Sequence, residues 1–146
     1  MILAMTNSQE ERFLGIDYGT KRIGIAISDP LFLIATPLKT VDRKKIDENI
    51  REILERFPVK KIIVGYPLRT DGKKGKRAEE VEKFAKKIKE KFNVEIELWD
   101  ERFSTIEAER LMRDRGEKPS RDKKRVDRIA ASLILQSYLD SIREEE

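Results

Sequence analysis

The chain of 146 residues contains no cysteine and no histidine. Lack of cysteine rules out disulfides and thiolate metal sites. Lack of both rules out a Ser-His-Asp triad, a Cys-His pair, an imidazole base and an ordinary zinc site. Catalysis therefore falls to carboxylates, Lys, Arg, Tyr, Ser or Thr, or to hard cations that prefer oxygen. No apolar run approaches the roughly 18 residues of a membrane span. The opening MILAMTNSQEER has no basic n-region and no small-residue cleavage site, so a secretory signal is not expected. Aromatic residues are scarce, at 7%. Tyr66 and Phe103 could stack on bases, but core or rim packing suits each better.

What the chain has is charge. Charged residues make up 41%, with 32 Lys and Arg against 28 Asp and Glu, a net charge of +4. That excess is too small to name nucleic acid as the partner by itself. The length suits one α/β domain with a real core. Residues 1–12 are expected as a flexible extension, 13–142 as the domain and 143–146 as a charged tail.

Arg12 to Asp17 reads as a buried strand, and Arg22 to Ser28 as a second, with Ile23, Ile25 and Ile27 alternating. Gly19 lies in the turn between them, and Gly24 keeps the second strand slim. A third strand falls within Leu31 to Val41, completing an antiparallel meander. The period then changes. Ile46, Ile50, Ile53, Leu54 and Phe57 mark one face of a helix from about Asp42. Lys61 to Gly65 is a short apolar run suited to a strand covered on both faces. Ala78, Val81, Ala85, Ile88 and Phe92 mark a second helix, and Val94 to Trp99 a fifth strand. Ser104-Thr105-Ile106-Glu107 has the form of a capping box opening a helix to about Arg115. A last helix is predicted near Val126 to Ile142. The order βββαβαβαα implies a five-stranded mixed sheet, with strands one to three antiparallel, strands one, four and five parallel, and helices on both faces.

Ligands bind such sheets at the open ends of the parallel strands. Those ends carry Asp17, the Gly65-Tyr66-Pro67 turn and Asp100-Glu101. Each acid has an ordinary explanation. Asp17 is a good turn former, Asp100 and Glu101 are charges at a strand end, and Asp127 suits the first turn of a helix. Their joint placement supports another reading: acids at one edge of adjacent parallel strands, with Asp127 brought in by a final helix that Ala130 and Ala131 let approach closely. Crowded carboxylates stay ionised when a cation lies between them. Oxygen ligands suit Mg²⁺ or Mn²⁺, and two such ions about 3.5–4 Å apart clamp a phosphodiester for in-line hydrolysis. Spacing alone leaves both readings open.

Two loops are basic. RTDGKKGKR, from Arg69 to Arg77, holds five Lys and Arg against one acid; RDRGEKPSRDKKR, from Arg113 to Arg125, holds seven against three. Either alone would be read as a solvated loop. Together, around an acidic centre, they suit a protein that grips phosphates on either side of a cut. Lys21, Arg22, Arg69, Lys73, Lys74, Arg77, Arg102, Arg121, Lys124 and Arg125 are the candidate phosphate contacts.

The segments LGIDYGTKRIGIAISD, IIVGYPLRTDG, LWDERFSTIEAE and VDRIAASLILQSYL resemble, in order and approximate spacing, those of the YqgF/RuvX family. The resemblance runs from about Phe13 to Tyr138. It implies an RNase H-like fold and a cytoplasmic nuclease that processes the 5′ end of pre-16S ribosomal RNA in ribosome biogenesis. It also implies an acidic, Mg²⁺- or Mn²⁺-holding centre at Asp17, Glu101 and Asp127. Strand parity leans the same way, since Glu101 shares a side with Glu95, Glu97 and Trp99 and Asp100 with Ile96 and Leu98. Two positions depart from the family pattern: Tyr66 stands where Leu is common and Arg69 where Asn is common. Both bear on substrate contacts after the fourth strand and leave the acids intact.

Three rival readings follow. A Holliday junction resolvase would use the same chemistry but needs a two-fold dimer. No dimer surface is evident, so a monomer or weak homodimer is expected. A non-catalytic nucleic-acid-binding module, bound to RNA or ribosomal particles, is the second. An actin/Hsp70-like ATP-binding domain is the third, because Asp-x-Gly-Thr between antiparallel strands resembles that phosphate loop; such proteins close two domains on the nucleotide, and this chain supplies one.

Overall fold

The computed structural model describes residues 10–68, 71–101 and 123–144. Strands β1 (Arg12–Tyr18), β2 (Arg22–Ser28) and β3 (Ala35–Asp42) form the meander. A single 3-10 turn, Arg43–Lys45, leads into α1 (Ile46–Arg56), followed by β4 (Val59–Tyr66), α2 (Lys76–Phe92), β5 (Ile96–Asp100) and α3 (Lys123–Glu144). The sheet order is β3-β2-β1-β4-β5. β2 runs antiparallel to β1 and β3, whereas β4 runs parallel to β1 and β5.

Alternation along the strands separates two cores. Leu14, Ile16, Ile23, Ile25, Ile62 and Val64 face α1 and α2, where Ile46, Ile50, Ile53, Val81, Phe84 and Ile88 complete the larger cluster. Phe13, Ala26 and Ile63 point the other way and meet Ala131, Ile134, Leu135, Tyr138 and Leu139 of α3. Burying an aliphatic side chain in either cluster is worth about 1.5–3 kcal/mol.

The face under α3 is slim. A Cβ added to Gly15 would stand 2.7 Å from the Leu135 Cβ, and one on Gly24 only 2.0 Å from the carbonyl oxygen of Asp127. Close approach of α3 is thus built into the sheet as well as into Ala130 and Ala131. Trp99 ties β5 to the same helix, donating its indole N–H to Ser137 Oγ at 3.1 Å and meeting Tyr138 edge-on at 5.3 Å.

The structure revises several boundaries. The first helix does not start near Asp42, because Asp42 is still extended and pairs with Arg22 across β2–β3; regular helix begins at Ile46. Lys76 and Arg77 belong to α2, with Gly75 at its N-cap, so the first basic loop is shorter than its charge run. The last helix starts at Lys123 and holds no acid in its first turn. Asp127 is therefore not a first-turn acid matched to the helix dipole. The capping box at Ser104 and the helix expected to Arg115 lie outside the described residues, as do Phe103, Arg69, Arg102 and Arg121.

Candidate active site

Asp17 stands near the C-terminal end of β1, on the same face as Phe13 and Gly15, and so looks towards α3. Glu101 follows β5 directly. Its backbone N–H donates to the Tyr66 carbonyl at 3.3 Å, and it is 9% exposed. Trp99, two residues before, packs in the α3 cluster, whereas Ile96 and Leu98 pack on the opposite side. Alternation therefore gives Glu101, rather than Asp100, the face of Asp17.

The strands that bear these acids are not adjacent, contrary to the sequence-based expectation: β4 lies between β1 and β5. Two strand spacings amount to roughly 9–10 Å. The gap is narrowed by Gly65, where β4 presents no side chain. Its register follows the Ile16–Val64 pair, which sets it level with Asp17, and a Cβ there would stand 2.5 Å from Glu101 Oε2. Glu101 leans across that glycine. Asp127 comes from the second turn of α3, held against β2 by the close approach at Gly24.

These placements put Glu101 and Asp127 within electrostatic reach of Asp17. Asp17 is pushed up to about 7, first by burial and then by the charges of Glu101 and Asp127, with Arg77 acting against them. Burial likewise raises Glu101; Arg77 opposes the rise and Asp100 adds to it. Burial raises Asp127 against the hydrogen bond and charge of Arg22 and the charge of Arg128.

A stability prediction follows from Asp17. Its folded-state value lies above the ordinary 3.8, so between about pH 4 and 7 the folded chain binds more protons than the unfolded one. The destabilisation from ionised Asp17 is therefore absent at the acid end, grows through that window and is complete above it. Asp17→Asn should match wild type near the acid end and exceed it at about pH 8 by roughly 2–4 kcal/mol, measured by urea unfolding without divalent cations.

The basic residues divide. Arg22 Nε donates to Asp127 Oδ2 at 2.9 Å, and Arg77 donates to the Tyr18 carbonyl at 3.2 Å. Both are thus at the acids, a role that local sequence does not show. Lys74 pairs with Glu82 at 3.1 Å, Lys73 and Lys124 are exposed, and Arg125 is half-buried. Lys21, also exposed, lines a shallow cavity with Thr20, Asp42, Arg43 and Lys44 beside the β1–β2 turn. Arg43, which no local sequence signal singles out, also reaches this turn. Its guanidinium lies 4.5 Å from the centre of the Tyr18 ring and donates to the Thr20 carbonyl at 3.3 Å, bracing the turn that follows Asp17. Tyr66 packs against the larger core, on the rim side of its two expected roles.

Among the described residues no three acids are gathered tightly enough to hold a metal ion as they stand. The donor set nevertheless fits a hard divalent cation. It offers oxygen alone, and the repulsion that raises Asp17 is one a dication would relieve.

The sequence model described as "RuvX: Holliday junction resolvase" matches residues 11–141. A protein of Syntrophus aciditrophicus named "Putative pre-16S rRNA nuclease" is 44% identical over 138 residues, covering 92% of each chain. A protein of Geobacillus kaustophilus with the same name is 43% identical over 137 residues, covering 90% of this chain and 99% of its own. Among solved structures, Thermus thermophilus RuvC in complex with a Holliday junction substrate superposes with a TM-score of 0.55 at 15% identity, over 91% of this chain and 96% of that one. The structural likeness shows the fold, which is RNase H-like.

Proposed function

The chain belongs to the RuvX family of Holliday junction resolvases, and from that membership we propose that it is a divalent-cation-dependent nuclease that hydrolyses phosphodiester bonds in the 5′-end processing of pre-16S rRNA, in the cytoplasm. The observation that carries the reading is the convergence of Asp17, Glu101 and Asp127 from two parallel strand ends and one helix, next to Gly65. The names of its relatives at 43–44% identity support the rRNA precursor as substrate.

Asp17, Glu101 and Asp127 are the residues that would hold Mg²⁺ or Mn²⁺, as one or two ions. Such ions supply charge neutralisation at the scissile phosphate and orient the attacking water. The rest is work for the chain itself. Asp17, which feels the charge of both other acids, would hold the cation as a carboxylate. Arg77 offsets the charge of Asp17 and Glu101 and keeps their protons from binding still more tightly. Lys21, Lys73 and Lys124, exposed around this edge, suit contacts to backbone phosphates that position the strand without reading its sequence. Arg69, Arg102, Arg121 and Arg125 remain candidates for the same task.

A second reading is favoured by the family description and by the junction-bound RuvC neighbour: resolution of four-way DNA junctions. It requires a two-fold dimer, whereas rRNA processing is open to a monomer or a weak homodimer. The deciding experiment offers the protein pre-16S RNA, single-stranded RNA and a four-way DNA junction with Mg²⁺ or Mn²⁺, and measures mass in solution alongside. Preferential 5′-end cleavage of the precursor is expected. Symmetric junction cleavage by a stable dimer would transfer the assignment to the second reading. Binding without cleavage of any substrate would leave a non-catalytic nucleic-acid-binding module.

A further inference from the structure

The acid centre is bracketed by two arginines that behave differently. Arg77 bonds a backbone carbonyl, that of Tyr18, and acts on Asp17 and Glu101 only through its charge. Arg22 bonds a carboxylate directly, with Nε 2.9 Å from Asp127 Oδ2 and only about a quarter of either side chain exposed, 26% and 22%. The pairing is imposed by the fold. Arg22, Gly24 and Ala26 share the α3 face of β2, and the missing side chain at Gly24 lets the backbone of Asp127 lie directly on that strand. Arg22 is thus the strand's own reach to Asp127. Arg128 adds a second positive charge on the same side, donating to Thr40 Oγ1 at 3.5 Å.

Guanidinium and dication are competitors for a carboxylate. A dication held by Asp127 would stand within a few ångströms of the Arg22 guanidinium, and in a partly buried setting that repulsion lowers the affinity of the carboxylate for the dication.

We propose that Arg22 is a built-in counter-charge that competes with a divalent cation for Asp127, so that the Arg22–Asp127 ion pair sets the cation affinity of the site. The inference rests on the nuclease reading of the acid centre. It makes Arg22 a positioning residue, whose first partner is a carboxylate of its own chain and not a phosphate.

The test is calorimetric titration of Mn²⁺ alone into the full chain at about pH 8. Arg22→Gln should bind Mn²⁺ roughly tenfold more tightly than wild type, while charge-keeping Arg22→Lys stays close to wild type. In an Asp127→Asn background the Arg22→Gln change should give no tightening. A purely structural role predicts the opposite direction, since losing a support for Asp127 would weaken binding. Equal or weaker Mn²⁺ binding by a folded Arg22→Gln therefore overturns the proposal. The wild-type protein provides a second measurement that needs no variant: Mg²⁺ should shift the Arg22 Nε–H resonance, and an unmoved resonance at saturating Mg²⁺ overturns it equally. If wild type cleaves nucleic acid with Mn²⁺ but these results fail, only the role of Arg22 falls. If neither wild type nor Arg22→Gln binds the cation, the nuclease reading falls and the competition with it.

Discussion

Asp17→Asn should reduce cation-dependent cleavage to background, a loss of roughly a thousandfold or more, in a protein that is more stable than wild type at about pH 8. The two effects have one cause. Asp17 is pushed up to about 7, first by burial and then by the charges of Glu101 and Asp127. Neutralising it relieves that cost and at the same time removes a carboxylate proposed to hold the cation. An ordinary turn residue would behave differently, for its loss would lower stability and leave catalysis untouched. Stability and activity moving in opposite directions is the signature of a functional group kept at a cost to the fold. Urea unfolding and a cleavage assay on the same preparation measure both.

Gly24→Ala should be the most damaging single methyl in the sheet. The new Cβ would stand 2.0 Å from the Asp127 carbonyl oxygen, 2.4 Å from its carbon and 3.0 Å from the Arg128 nitrogen. All three are backbone atoms, so no side chain can swing aside. Either β2 bends or α3 retreats, and α3 is fixed further along by Ala131, Ile134, Leu135 and Leu139. Overpacking of this kind costs about 1–3 kcal/mol or more. We expect a loss of at least about 3 kcal/mol by urea unfolding. Cleavage should fall in whatever fraction still folds, because any retreat of the helix carries Asp127 away from Asp17. A Gly24→Ala protein with wild-type stability and activity would mean that the helix does not ride on β2 as described.

These expectations show which parts of the molecule are written locally. The alternation of Ile23, Ile25 and Ile27 and the 3.6-residue spacing of Ile46, Ile50 and Ile53 state which faces are buried, so the mixed sheet and its two-sided covering are legible from residues alone. Boundaries at charged residues are not. Asp42 looks like a helix start, yet its ladder pairing with Arg22 keeps it extended. Lys123 to Arg125 reads as the end of a basic loop, yet forms the first turn of α3, which moves Asp127 a turn deeper than its local sequence suggests.

The candidate site divides in the same way. Asp17 and Glu101 stand at strand ends that hydrophobic pattern alone locates. That β4 separates them, and that Gly65 lets Glu101 lean across it, depends on sheet order, which no local pattern states. The Arg22–Asp127 pair joins residues 105 positions apart. From sequence Arg22 is one cation among many beside a turn. Only the packing of α3 on β2 gives it a carboxylate.

In the proposed function, Asp17, Glu101 and Asp127 together hold the divalent cation that cleavage needs. Anomalous X-ray scattering from crystals of the protein equilibrated with Mn²⁺ tests it most directly. A Mn²⁺ peak is expected, bounded by oxygens of Asp17 and Glu101, with Asp127 turned from Arg22 towards it, and no such peak in Asp17→Asn. Mn²⁺ found elsewhere, or absent from this edge at concentrations that support cleavage, would mean that these three acids do not hold the cation.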